Sequence, residues 1–126
     1  MDRFKFRAWD TKQNKMWSAE EMGKDELTLS VNGRGFVNIN SFDTRLSSYA
    51  INLIPLQCTG KKDENGILIY EGDIGKDEDG YENFKVVWDD DDASFRLEQG
   101  NVSNEFNKYF EVIGNIYETP ELLEVR

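Results

Sequence analysis

Apolar residues in this chain come in short alternating runs, and helical periodicity is scarce. In "FKFRA", Phe4, Phe6 and Ala8 fall on one face of an extended segment and Lys5 and Arg7 on the other. "FKVVW" repeats the pattern with Phe84, Val86 and Trp88, and "FRL" with Phe95 and Leu97. A period of two is the mark of a half-buried strand. The breaks between runs carry turn residues. "DTKQNK" separates "FKFRAW" from "MW", which predicts a hairpin over residues 4–17. Asn32-Gly33 sits inside "LTLSVNGRGFVNI", where a turn with positive φ predicts a second hairpin. Ser18 is a candidate cap for one turn of helix ended by Gly23. "SFDTRLSSYAINLIPLQCT", from Ser41 to Thr59, has the weakest pattern, and irregular structure or a short helix is expected at its start. Pro55 disfavours helix at Ile54 and points to an extended segment there.

"TGKKDENGILIYEGDI", Thr59–Ile74, invites three readings. A phosphate loop places its glycines between a strand and a long helix, with Lys-Ser/Thr following; neither condition is met. A calcium loop needs interleaved oxygen ligands ending in a bidentate Glu, and that spacing is absent. The third reading is a hairpin, with Asp63–Gly66 as its turn. Gly72 then lets the chain bend before Asp73, whose side chain can bond to nearby backbone. Further on, Phe106, Tyr109, Phe110 and Ile113 have helical spacing that Gly114 interrupts. That predicts a short turn of helix, then a strand over "EVIGNIYE". "TPELLE" ends the chain with Thr119 as cap and Pro120 at the first helical position.

The chain's 126 residues suit one compact domain, and 38% apolar content with 13% aromatics suffices for a core. No run approaches the ~20 apolar residues that span a bilayer. The charged N-terminal stretch does not resemble a secretion signal, so a cytoplasmic location is expected. One cysteine, Cys58, allows no internal disulfide and suits a buried structural thiol. The chain has no histidine. That removes the usual general base near neutral pH and imidazole ligation of metals. A net charge of −10 argues against binding along nucleic-acid backbones and is compatible with a protein partner.

Three constellations remain. Asp89–Asp92 offers oxygen ligands for a divalent cation, but four consecutive carboxylates do not converge without distortion, and a solvated turn is the simpler reading. Asp73, Asp77, Glu78 and Asp79 could in principle supply an acid–base pair; a solvated loop is again simpler. The N-terminal hairpin places Trp9 on the face of Lys5 and Arg7. With Arg3, Lys15 and Trp17 it forms a candidate interaction surface for nucleic acid, for a partner protein or for a second copy. No cofactor is expected.

The chain resembles the YopX family of phage and prophage proteins. "FRAWD" and "KMW" (Phe6–Asp10, Lys15–Trp17), "TGKKDENGILIYEGDI", "VVWDDDDASFRL" (Val86–Leu97) and "EVIGNIYETPELL" (Glu111–Leu123) carry the likeness, in order, along nearly the full length. It departs at Cys58, where the family tends to have an aromatic, and at Lys61, where it tends to have an apolar residue. The resemblance implies several coiled β-sheets including an SH3-like barrel, and a phage or prophage origin. It implies no activity. The expectation is a single, mainly β domain: a hairpin region at about residues 3–52, a barrel at about 53–117 and a short turn at 118–126. Phe6, Ile69, Ile74, Val86, Trp88, Phe95, Leu97, Val112 and Ile116 are the expected core. A non-catalytic, cytoplasmic module is expected, binding a host or phage protein or associating with itself through residues 3–17. The competing readings are a carboxylate- or metal-dependent hydrolase or nuclease, and a nucleic-acid binder acting through the basic hairpin.

Overall fold

The computed structural model describes residues 2–30, 33, 35–38, 52–78, 80, 82–100, 102–106 and 109–124. The chain is mainly β, with a curled half-barrel sheet and only short helices. It divides into two compact units, Lys5–Gln57 and Cys58–Arg126 with Met1–Phe4. The boundary falls inside one long strand, β5 (Leu53–Lys62).

In the first unit, β1 (Phe6–Asp10) pairs antiparallel with β2 (Lys15–Trp17) on one side and with the first half of β5 on the other. Helix α1 (Ala19–Lys24) follows, held by a reciprocal cap. The Glu21 amide donates to Ser18 Oγ (3.1 Å) and the Ser18 amide to Glu21 Oε1 (3.1 Å), so two orphan donors of the first turn are satisfied. Gly23 does not end the helix; the last turn closes at Asp25, whose amide reaches the Glu21 and Gly23 carbonyls. Strands β3 (Leu27–Leu29) and β4 (Phe36–Asn38) pair as expected, and Gly33 has φ +71° in their connection. Asn32 and residues 41–51 lie outside the described residues. Ala8, Met22, Phe36 and Leu53 form this unit's core, with Phe6, Trp17, Leu27 and Leu29 packed against it.

In the second unit, the rest of β5 pairs with β6 (Leu68–Tyr70) around the Asp63–Gly66 turn, where Gly66 has φ +80°. Strands β7 (Asp73–Lys76), β8 (Asn83–Asp89), β9 (Ser94–Gln99), β10 (Val102–Glu105) and β11 (Glu111–Asn115) make one antiparallel sheet. Its order is β10-β9-β8-β7-β11. Ile69, Phe84, Val86, Leu97, Phe106 and Phe110 form the core, with Phe95 and Val112 partly buried against it. Ile74 is wholly buried and Ile116 half-buried.

Three further sequence-based expectations are corrected. Phe4 is not on the strand face: it lies in a 3-10 turn, Asp2–Phe4, and is 59% exposed. Trp88 shares the face of Phe84 and Val86 but is 43% exposed, because β8 runs past the end of the core. There its ring meets Phe95 edge-on (5.0 Å) and its indole N–H donates to Asp90 Oδ1 (2.9 Å). Thr119 does not cap the final 3-10 turn, Pro120–Leu123. Its hydroxyl instead exchanges hydrogen bonds with the Asn115 backbone. Strand β10 carries no expectation from the sequence and is present.

Candidate interaction surface

The buried polar side chains among the described residues are Asp10, Asp63, Asp73 and Asn115. Each holds a turn. Asp10 ends β1, and its Oδ1 accepts the amides of Lys12 (2.9 Å) and Gln13 (3.0 Å) and the Asn52 side-chain amide (2.9 Å). Its Oδ2 accepts the Trp17 indole N–H (3.1 Å). These donors, the Gln13 amide foremost, outweigh burial and bring the Asp10 carboxyl down from 3.8 to about 2. Asp63 accepts the amides of Asn65 (2.8 Å) and Ile67 (2.9 Å) on Oδ1 and that of Val112 (3.0 Å) on Oδ2. Burial pushes its pKa up, but the three backbone donors from Ile67, Val112 and Asn65 win and the net shift is downward. Asp73 accepts the Tyr70 amide (2.8 Å) across the Gly72 bend, where φ is +89°. Asn115 accepts the amides of Tyr117 and Glu118.

The run Asp89–Asp92 is a hairpin turn joining β8 to β9, closed by Ala93 at φ +50°. Asp89 Oδ1 accepts the amides of Asp91 (2.9 Å) and Asp92 (3.2 Å), while Asp92 Oδ2 pairs with Arg96 Nη1 (3.1 Å). Among the described residues, no three Asp, Glu, Cys or His side chains gather in an arrangement that could hold a metal ion. Asp73 is buried while Asp77 and Glu78 are not, so the structure does not assemble these three into one exposed cluster; Asp79 lies outside the described residues. Cys58 is fully buried and its sulfur accepts the Gly60 amide (3.4 Å).

The N-terminal hairpin differs from its expected surface. Trp9 is buried, at 8% exposure, although alternation puts it with Lys5 and Arg7. Strand β1 is central, so Trp9 is flanked in register by Met16 of β2 and Ile54 of β5, and on the same face Leu56, opposite Arg7, is buried as well. Lys15 bonds Glu21 (2.9 Å) and lies 3.9 Å above the Trp17 ring. That lysine lowers the Glu21 pKa, with the Ser18 amide adding to it. Lys5 approaches Glu20 at 4.0 Å. Helix α1 therefore neutralises part of the positive charge that the hairpin's sequence suggests. Arg3 lies in the other compact unit, exposed and stacked over Phe4 at 4.9 Å.

One site was not legible in the sequence. An open depression of about 390 Å³ lies on the outer face of the β8–β9–β10 sheet, lined by Val87, Asp89, Asp90, Asp91, Glu98 and Ser103, with Trp88 at its margin. Register explains the grouping: Ser103 stands opposite Glu98, and Glu98 opposite Lys85. Lys85 and Glu98 are paired at 3.6 Å. Arg96 donates to Ser103 Oγ (2.7 Å) and Ser103 O (3.2 Å), which ties β10 to β9.

Comparison with known proteins bears on the fold. Two solved structures resemble the chain over almost its whole length. Protein EF1440 from Enterococcus faecalis is 27% identical, with a TM-score of 0.62, covering 95% of this chain and 97% of its own. Protein yopX from Bacillus subtilis is 21% identical, with a TM-score of 0.56, covering 97% and 99%. No curated protein sequence matches the chain. The family described as YopX protein matches residues 5–124. The chain therefore belongs to the YopX protein family.

Proposed function

We propose that this chain is a non-catalytic protein-binding module, an accessory protein of phage or prophage origin working in the bacterial cytoplasm. One observation carries the reading: the buried carboxylates are committed to hydrogen bonds within the scaffold, chiefly from backbone amides. Asp10, Asp63 and Asp73 each accept main-chain N–H groups, and the first two are held below the usual carboxylate range. A general acid near neutral pH needs the opposite shift. The half-buried carboxylate of Asp89 and the exposed one of Asp92 likewise serve the hairpin and Arg96. Burial of Trp9 takes away one of the two aromatics on which self-association through residues 3–17 depends, and favours a different protein as the partner.

Calorimetric titration with Mg²⁺ and Ca²⁺ tests the assignment of the carboxylates. The expected result is no saturable heat at millimolar ion. Tight binding lost on Asp90→Asn/Asp91→Asn would restore the metal-dependent hydrolase reading.

A further inference from the structure

The two edges of the five-stranded sheet are treated differently. On β11 the ladder shifts register between Val112 and Gly114. Its backbone is also taken up by the β5–β6 turn: the Val112 amide donates to Asp63 Oδ2 (3.0 Å), and the Phe110 carbonyl just before the strand accepts the Glu64 amide (3.4 Å). Bulges and covering loops are the usual devices for closing an edge. Strand β10 is the opposite edge, and among the described residues no strand pairs with its outer side. It contains neither lysine nor proline, and its ladder to β9 runs without a bulge from Val102 to Glu105. Its protections are its length of four residues, the charged Glu105 at its end and Arg96, which donates to the Ser103 carbonyl (3.2 Å).

Beside this edge the two faces differ in character. Val102, opposite Gln99, is 53% exposed on the face that carries Leu97 and Val86. Ser103 turns to the other face and lines the acidic depression. Asp89, Asp90, Asp91, Asp92 and Glu98 stand at or beside that depression, against the cations Lys85 and Arg96, leaving about three uncompensated negative charges by simple count. Arg96 donates to both the hydroxyl and the carbonyl of Ser103, which fastens β10 to β9.

We propose that the β10 edge docks an extended basic segment of a partner protein, which joins the sheet as a further strand. The inference rests on the protein-binding reading above and gives that partner a chemistry. Main-chain hydrogen bonds to the edge supply affinity, and alternate side chains supply choice. Apolar residues of the incoming strand lie beside Val102, and lysines or arginines on the alternate positions reach the depression next to Ser103. Charge selects the occupant: a second copy would bring an identical acidic face and a net charge of −10 toward its own likeness.

The test uses the full chain and a fluorescein-labelled peptide of alternating valine and lysine at ~0.15 M salt, read by anisotropy. Two versions carry N-methyl groups on one or the other alternate set of backbone amides, leaving charge and composition unchanged. Methylation of one set is expected to weaken binding about tenfold or more, since those amides face the strand, and methylation of the other set to leave it intact. Asp90→Asn/Asp91→Asn is expected to weaken the unmodified peptide and flatten its salt dependence. Equal binding of both methylated peptides would overturn strand addition. A dimer in light scattering that Ser103→Pro dissolves would assign the edge to a second copy and overturn the proposed occupant. A cellular partner captured equally by wild-type and Ser103→Pro chains would overturn this site while leaving the protein-binding reading in place.

Discussion

Asp10 and Asp63 show how a carboxylate becomes part of the scaffold. Each sits at the end of a strand, where the chain turns and leaves backbone amides without ladder partners, and a short acidic side chain reaches them. The consequence for Asp10 is a pH dependence with a definite sign. Its folded pKa of about 2 lies below the ordinary 3.8, so its contribution to stability is complete above pH 3.8 and is lost as pH falls through about 2. Urea unfolding measured from pH 5 down to pH 2 should show Asp10→Asn losing less stability over that interval than wild type. Parallel curves would contradict the assignment. Asp63→Ala leaves three amides of partly buried backbone without acceptors and is expected to cost about 2–4 kcal/mol in urea unfolding. A cost of a few tenths would mean that solvent already reaches those amides.

Among the elements, two glycines give predictions of opposite sign. Gly75 in β7 faces the ring of Phe110, which is 2% exposed, and an added Cβ would collide with that ring. Gly75→Ala should destabilise the second unit by about 2–3 kcal/mol, because neither a strand backbone nor a core ring has room to yield. Gly23 lies inside α1 with open space around it. Gly23→Ala should therefore stabilise by about 0.5–1 kcal/mol through helix propensity alone. Thermal unfolding of the two variants checks both. Elements also mark where the sequence is legible. The hairpins at residues 6–17 and 53–70 could be read because alternation and turn chemistry agree. Alternation assigns a face, however, and does not say how far a core extends, which is why Trp88 was expected inside. Nor does it show that β1 has a neighbour on each side, which buries Trp9 on its apparently charged face. Strand β10 has a single apolar residue, Val102, and hence no period; its pairing with β9 makes it a strand.

At the scale of the whole molecule, the family and the mainly β fold were legible because several motifs recur in order along the chain. The docking site was not. Ser103, Glu98 and Asp89–Asp91 come together only through the register of three strands, and no spacing in the sequence announces it. Net charge pointed to a protein partner, while Asp73, Asp77 and Asp89, three of the carboxylates that looked chemical, accept backbone amides of turns. The most direct measurement of the central claim is affinity capture by the full chain from prophage-bearing bacterial cells after induction. Nuclease and chelator are present throughout, and recovered proteins are quantified by mass spectrometry. A protein-binding module should retain a single protein in near-stoichiometric amount under those conditions. Capture of nucleic acid alone when nuclease is omitted, with no protein retained when it is present, would contradict it.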